Sequence, residues 1–251
     1  MGPMRFSDEL NACAALVEKG DPWRFRTVMA APVAARAKLF PLYAFNVEVS
    51  RAPYVTAEPM IAEMRLQWWR DALEEIANGA PRRHEVVTPL AEILTPAQAT
   101  ALDALVAARR WDCYKDPFDD QAALQTYLRD TSGTLMATAY DILGGPGETG
   151  ETIGFGLGVA NWLTAIPALE AAKRIPLVDG TPAAVSAFAK TGLQALQSQT
   201  QIPKEARPAL WPAMGAARVL KTAIKDPTQV ANDTLPDLAP PLFALKVALG
   251  R

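Results

Sequence analysis

The residues of this chain best placed for chemistry are acids at helical spacing in the segment 63–76, EMRLQWWRDALEEI. Asp71, Glu74 and Glu75 lie within about one turn of a predicted helix, where carboxylates three or four positions apart share a face. Such a group could hold a metal ion. A packed amphipathic helix with a solvated charged side, in which Arg70 pairs with Glu74, explains the same pattern without chemistry.

Other chemical motifs are absent from the sequence. It contains no G-x-S-x-G nucleophile elbow, no phosphate loop and no GxGxxG dinucleotide loop. GFGLG at 154–158 lies inside a helical pattern and indicates close helix packing rather than nucleotide binding. The acids Asp112, Asp116, Asp119 and Asp120 lack calcium-loop spacing, so we expect a solvated loop and a helix N-terminus there.

Composition excludes several classes of protein. Half of the 251 residues are hydrophobic and the net charge is −2, which leaves no electrostatic footprint for nucleic acid. Two distant cysteines and one histidine argue against a disulfide framework or a zinc site, and we expect reduced thiols in a cytoplasmic protein. We expect neither a signal peptide nor a membrane span, since no stretch approaches about 20 apolar residues.

The periodicity of apolar residues is helical almost throughout, and strand-type alternation is nearly absent. Pro and Gly fall mostly between the periodic segments, as in Gly144-Gly145-Pro146-Gly147. The sequence therefore predicts a single all-α domain over residues 1–251. The predicted helices are 7–19, 23–30, 33–51, 58–78, 87–94, 96–110, 121–143, 149–172, 181–199, 203–225 and 240–249.

Two of these segments carry a family pattern. LYAFNVEVSRAPY at 42–54 and MRLQWWRDALEEI at 64–76 resemble the squalene/phytoene synthase family, whose members show YAF, then DDxxD, then an RLxWWR helix. The resemblance extends over roughly residues 20–225. It implies an isoprenoid-synthase-type helical bundle around a central cavity, with helices 33–51 and 149–172 facing each other across it. AFNVE followed by MRLQWW is most similar to a degenerate branch that includes an assembly factor of respiratory complex I.

The acids of both family motifs are replaced in this chain. The DDxxD positions fall on residues 50–54, SRAPY, and the second motif places Ala165, Ala168 and Leu169 where the family has metal-binding acids. Pro53 should end the first helix early, and Pro167 interrupts the second motif. The resemblance therefore implies that the magnesium site is missing, and no other metal or cofactor is expected.

The resemblance also names the residues that would surround the cavity. Its lining candidates are Tyr43, Phe45, Glu48, Ser50, Tyr54, Arg65, Trp68, Trp69, Tyr127, Gly133, Asn161 and Ala165. Its basic candidates, near the mouth, are Arg51, Lys173 and Arg174. We expect the former diphosphate end to be narrowed.

Three functions follow from this pattern. The first is a catalytically inactive homologue that binds a protein partner or an apolar or isoprenoid lipid, in the cytoplasm or peripherally at a membrane, in complex I assembly. The second is a prenyltransferase that condenses two prenyl diphosphates, with Mg²⁺ held by other acids such as Glu48, Asp71 and Glu74. The third is a carrier that keeps the cavity for an apolar ligand.

Overall fold

The computed structural model describes residues 7–198 and 202–240, together with residues 243 and 247. Over these residues the secondary structure consists of α-helices, short 3₁₀ segments and one π-helical segment, with no β-strand. The predicted all-α class is confirmed. The chain forms two compact units, Met1–Cys113 and Tyr114–Arg251. The single-domain prediction and the predicted opposition of helices 33–51 and 149–172 concern both units and stay predictions.

The first unit is built around a buried helix. Its helices are α1 (Asp8–Gly20), α2 (Pro22–Ala30), α3 (Val33–Arg51), α4 (Pro59–Ala77), α5 (Val87–Ala91) and α6 (Pro96–Ala108). Helix α3 is apolar on most of its surface and packs against α1, α2 and α5, while α4 packs against α6. Helix α3 ends at Arg51 and is followed by a 3₁₀ turn, Ala52–Tyr54, as Pro53 predicts.

Three helix starts in this unit, those of α1, α2 and α6, have side-chain caps. The Ser7 hydroxyl accepts from the Leu10 amide at 3.2 Å, and Thr95 with Gln98 forms a complete capping box ahead of Pro96. Each cap satisfies amide groups that a helix start leaves without an internal partner. Local sequence therefore fixes where α1 and α6 begin.

The second unit surrounds one long helix. Its helices are α7 (Gln121–Leu128), α8 (Thr134–Ile142), α9 (Gly147–Ala171), α10 (Pro182–Gln197), α11 (Arg207–Leu210), α12 (Ala216–Lys225) and α13 (Thr228–Ala231). Helix α9 packs against α8, α10, α12 and the π-helical segment Arg129–Gly133. Apolar residues occur all round α9, as expected for a helix at the centre of a core.

Glycines allow the neighbours of α9 to approach closely. A Cβ added to Gly150 would lie 2.8 Å from Ala137 Cα, and one added to Gly154 would lie 2.6 Å from the Ser132 carbonyl oxygen. Gly158, four residues further, meets the Ser132 side chain in the same way. The prediction that GFGLG serves helix packing is confirmed.

One predicted helix on the C-terminal side differs from the structure, and a second cannot be compared with it. The segment 203–225 is not one helix: Pro208, Pro212 and Gly215 divide it into α11, a 3₁₀ turn and α12. Proline lacks the amide donor that an uninterrupted helix needs, and this outweighs the apolar period. The predicted helix 240–249 lies outside the described residues except for 240, 243 and 247.

One described helix is long and apolar enough to cross a membrane by length and composition alone, and it is α9. The sequence expectation that no stretch approaches this length is therefore wrong. The most apolar 18-residue window of α9 is 61% buried inside the protein. A helix at the centre of a protein core has the same length, composition and burial.

Candidate functional site

A cleft of about 500 Å³ opens on the first unit beside the C-terminal end of α3. Its walls come from the last turn of α3, the 3₁₀ turn and the segment after it, the exposed side of α4, and the loop before α5. The lining residues are Glu48, Arg51, Ala52, Val55, Ile61, Met64, Arg65, Trp68, Trp69 and His84. Glu48, Arg51, Arg65, Trp68 and Trp69 were predicted as site residues, so the sequence located half of this wall.

The back of the cleft is aromatic. Trp69 is 5% exposed and meets Phe45 edge-on, with ring centroids 5.4 Å apart. Trp68 stands perpendicular to Trp69 and packs against His84, with centroids 4.9 and 5.0 Å away. Adjacent residues of a helix point about 100° apart, so Trp69 enters the core while Trp68, half-buried, faces the cleft.

Positive charge borders these rings. Glu48 and Arg51 form an ion pair at 3.1 Å on the α3 side, and the Arg51 side chain is 51% exposed. Arg65 is exposed and has no ion pair among the described residues. The Arg82 guanidinium lies 4.9 Å from the Trp68 ring centre, where the ring's negative face attracts it.

Arg82 is held in place by a second contact. It binds Glu75 through two hydrogen bonds of 2.7 Å, and these bonds lower the pKa of the Glu75 carboxyl. A guanidinium fixed by two parallel bonds loses little freedom when it also stacks on a ring. Arg82 therefore covers Trp68 without needing an occupant in the cleft.

The outer lip of the cleft is apolar and exposed. Met64 is 67% exposed, and Val55 and Ile61 are also exposed. Leu66 and Leu73 of the same helix are buried, so Met64 lies on the side of α4 that faces away from the core. Helix α4 has two apolar stripes, because Met60, Met64 and Trp68 recur every four residues on the side away from the core.

The aligned DDxxD positions are engaged in other contacts. The Ser50 hydroxyl donates to the Val47 carbonyl at 3.2 Å within its own helix. Tyr54 is 55% exposed, and its hydroxyl donates to the Asp112 carboxylate at 3.1 Å. Neither residue lines the cleft.

Asp112 corrects the prediction that its acidic run is wholly solvated. It is 2% exposed and accepts from Tyr54 and, at 3.2 Å, from Arg109. Asp120 behaves as predicted, since its carboxylate caps α7 by accepting from the Ala123 amide at 2.7 Å. A buried carboxylate needs partners, and these two donors supply them to Asp112.

Tyr43 and Phe45, also predicted to line a cavity, belong to the core of the first unit. Tyr43 is 2% exposed, and burial raises the pKa of its phenol to about 12. The Arg24 guanidinium lies 5.5 Å from its ring centre. Phe45 is fully buried and supports the cleft only from behind, through Trp69.

In the second unit Tyr127 belongs to an aromatic cluster. Its ring lies 5.5 Å from both Phe118 and Trp162, and those two rings are 5.8 Å apart. The Trp162 indole donates to the Pro176 carbonyl at 2.9 Å. Tilted and edge-on rings at these distances attract each other, so the cluster fixes α7 against α9.

The remaining candidates of the second unit serve packing. Gly133 is buried in the π-helical segment, where an added Cβ would lie 3.3 Å from the Glu151 side chain. Asn161 and Ala165 are half-buried on α9, the helix that also carries Trp162. The structure therefore brings Asn161 and Ala165 onto one helix, and their role as cavity-lining residues stays a prediction.

Lys173 and Arg174 have different environments despite being adjacent. Lys173 is exposed at the end of α9 in the left-handed conformation, with φ of 61°. Arg174 is 9% exposed and donates to the Tyr114 carbonyl at 2.6 Å. The guanidinium of Arg174 is thus engaged inside the second unit rather than exposed as a basic pair with Lys173.

The acids of α4 do not join Glu48. Asp71 and Glu74 line a second groove, and no residue lines both this groove and the cleft. The predicted Arg70–Glu74 pair is wrong, because Arg70 binds Asp103 of α6 through two hydrogen bonds of 2.7 and 2.9 Å. These bonds raise the pKa of Arg70. No group of three or more His, Cys, Asp or Glu side chains among the described residues could hold a metal ion.

Comparison with known proteins identifies the family. The model of squalene/phytoene synthases matches residues 17–178, more than half of the chain. The chain belongs to the squalene/phytoene synthase family. This family model extends across both compact units, since it continues beyond Cys113. Val55, Ile61 and His84 were missed as cleft residues because they lie outside the family segments, and Ala52 and Met64 were missed although they lie within them.

Solved structures confirm the isoprenoid-synthase-type fold. A dehydrosqualene synthase in complex with a ligand superposes with a TM-score of 0.72 at 12% identity, over 96% of each chain. A squalene synthase from Alicyclobacillus acidocaldarius superposes with a TM-score of 0.69 at 17% identity, over 91% of this chain and 95% of that one. At these identities the likeness concerns the fold alone.

Curated relatives have a different description. "NADH dehydrogenase (ubiquinone) complex I, assembly factor 6 homolog" of Drosophila melanogaster is 28% identical over 62% of this chain and 50% of its own length. The human "NADH dehydrogenase (ubiquinone) complex I, assembly factor 6" is 26% identical over 53% of this chain and 40% of its own. The matched region spans about half the length of these relatives.

The residues of this family member do not fit a magnesium–diphosphate site. Mg²⁺ requires hard oxygen ligands, usually carboxylates. At the aligned positions the chain has Ser50, Arg51 and Tyr54 on one segment and Ala165, Ala168 and Leu169 on the other. Glu48, the one carboxylate of the cleft, is neutralised by Arg51.

Proposed function

We propose that this protein is a catalytically inactive squalene/phytoene synthase homologue that acts by binding a protein during assembly of respiratory complex I. The observation that carries the proposal is the cleft of the first unit. Where the family places metal-binding acids, Tyr54 is turned to Asp112 and Arg51 to Glu48, so a diphosphate would meet no magnesium. The names of the curated relatives support the assembly role.

The exposed apolar lip supports binding over catalysis. Contiguous exposed apolar side chains on a protein surface mark sites that bind proteins, membranes or ligands. Met64 and Ile61 are flexible or branched side chains that gain free energy when a partner covers them. Since complex I is embedded in a membrane, we place the protein in the cytoplasm with peripheral association at that membrane.

Catalytic inactivity is tested with purified protein. We expect no Mg²⁺-dependent release of diphosphate from farnesyl or geranylgeranyl diphosphate. The matched control is Glu48→Gln, which removes the cleft carboxylate. Diphosphate release that requires Mg²⁺ and disappears in Glu48→Gln would establish the prenyltransferase alternative.

The assembly role is tested in the host. Deletion of the gene should lower the amount of assembled complex I on native gels, and its NADH:quinone activity, while other membrane complexes keep their levels. The full-length gene should restore both readouts. Unchanged complex I in the deletion strain would contradict the role, and co-purification of a stoichiometric polyprenyl lipid would support the carrier alternative instead.

A further inference from the structure

The outward stripe of α4 and the cleft beside it form one continuous surface. Met60 is 74% exposed and Met64 67% exposed, and Trp68 continues the same stripe into the cleft. Val55 and Ile61 line the same cleft. The exposed part of this second apolar stripe, Met60 and Met64, is not covered by any described residue of the first unit.

The charges beside the stripe select the sign of an occupant. Arg51 is matched by Glu48, but Arg65 projects from α4 without an acidic partner among the described residues. The charges of Arg51 and Glu48 cancel, and the positive charge of Arg65 remains. The whole chain has a net charge of −2, so this local excess is opposite to the protein as a whole. An occupant that contributes a carboxylate beside Arg65 would complete the surface.

The size of the cleft suits side chains rather than a bilayer. A concavity of about 500 Å³ admits a few apolar side chains from one segment. Its wall of Trp68, Trp69 and His84 is rigid because the three rings contact one another. Aromatic pockets of this kind with an adjacent arginine are the usual anchors of protein interfaces.

We propose that the cleft and the outward stripe of α4 dock an acidic amphipathic peptide segment of the partner protein, which inserts an apolar side chain beside Trp68 and presents a carboxylate to Arg65. The inference rests on the binding role proposed above and defines the chemistry of its partner. The segment would be a helix or a short strand-like stretch with apolar residues three or four apart and an Asp or Glu beside them.

The test uses the full chain in its host with the photo-crosslinker p-benzoylphenylalanine at position 64. The matched control carries the same crosslinker at Val178, an exposed apolar position of the second unit. We expect Met64 adducts to map by mass spectrometry to one segment of one protein, with an acid within about one helical turn of the linked residue. The Val178 position should not give this adduct.

Charge variants decide whether Arg65 contributes. Arg65→Glu should lower the adduct yield about tenfold or more, whereas Arg65→Lys should retain most of it. Lys190→Glu, the same charge change on an exposed position of α10, should leave the yield unchanged. Changing the partner's acid to Arg should restore the adduct with Arg65→Glu. Circular dichroism of each variant excludes unfolding as the cause.

Several outcomes would overturn the inference. They are adducts with phospholipid, adducts with a second copy of this chain, no adduct above the Val178 control, or a protein adduct that is insensitive to Arg65→Glu. The proposed role in complex I assembly is tested separately. If deletion of the gene leaves complex I unchanged but the adduct and its dependence on Arg65 are found, the docking site is supported with a different partner. If deletion lowers complex I and no such adduct forms, only the docking site is wrong.

Discussion

At the scale of single residues, an unusual polar group of this protein is the phenol of Tyr140. Its hydroxyl is buried and has no hydrogen-bond partner among the described residues. Burial also raises the pKa of this phenol. An unpaired buried hydroxyl costs free energy, so Tyr140→Phe should leave stability unchanged or raise the free energy of unfolding by up to about 1 kcal/mol.

The control for this prediction is Tyr54→Phe. That change removes a hydroxyl that donates to the Asp112 carboxylate, so it should lower the free energy of unfolding by about 0.5–1.5 kcal/mol. Urea denaturation of both variants gives the comparison. Equal destabilisation by the two changes would show that Tyr140 has a polar partner after all.

Cys13 provides a chemical prediction at the same scale. Burial, and then the nearby Glu85 and Glu9, raise the pKa of its thiol to about 12. Since the thiolate is the nucleophile, Cys13 should resist iodoacetamide at pH 8 in the folded protein and react in urea. Peptide mapping by mass spectrometry measures both. Rapid modification of Cys13 under native conditions would contradict its burial.

The sign of the linked pH effect follows from the same shift. The folded pKa lies above the ordinary value of 9.0, so the unfolded chain releases the Cys13 proton first. Its contribution to stability is complete below pH 9 and is lost as pH rises from 9 towards 12. Cys13→Ala should remove this part of the alkaline slope.

At the scale of elements, the end of α9 holds a lysine where glycine is preferred. The Arg174 amide donates to the Leu169 carbonyl and the Lys173 amide to the Glu170 carbonyl, which places Lys173 at the left-handed position of a helix cap. Lys173→Gly should raise the free energy of unfolding by about 0.5–1 kcal/mol. Ala172→Gly, one residue earlier and with negative φ, should lower it.

The contact between α9 and the π-helical segment depends on the absence of a side chain. Gly154→Ala would push a methyl group against the Ser132 carbonyl and should cost about 1–3 kcal/mol. Gly180→Ala is the matched control, because a Cβ there meets nothing within 4 Å among the described residues. Thermal unfolding of both proteins measures the difference, and equal melting temperatures would mean that α9 is packed more loosely.

The sequence predicted where helices begin and end better than it predicted which side chains pair. Caps and prolines are local signals, so the starts of α1 and α6 and the end of α3 could be placed in advance. Arg70 could not, because the local i,i+4 rule favoured Glu74 while the tertiary structure offered Asp103. Met64 was not predicted as a cleft residue, because the apolar pattern of α4 does not separate its buried side from its exposed side.

The residues of the candidate site were predicted only in part. Trp68, Trp69 and Arg65 were found because the family motif includes them. His84 comes from a loop without regular period, so nothing in the sequence indicated that it would meet Trp68. The burial of Asp112 likewise depends on Tyr54, 58 positions away, and no local pattern specifies such a pair.

For the whole molecule, the family match predicts cooperative behaviour. Residues 17–178 extend past the boundary between the compact units at Cys113, so neither unit contains the family's full pattern. We therefore expect one unfolding transition, with coincident midpoints by tryptophan fluorescence and circular dichroism. Two separated transitions would contradict the single-domain prediction.

The contacts of Tyr54 and Arg51 also bear on the evolutionary history of this protein. Both residues occupy positions where the family pattern has acids, and in this chain Tyr54 satisfies a buried carboxylate while Arg51 neutralises Glu48. Restoring one aspartate would remove such a contact before a second ligand existed to bind magnesium. At these two positions a single substitution toward the family pattern therefore loses a contact without completing a metal site, which opposes a return to that pattern one change at a time.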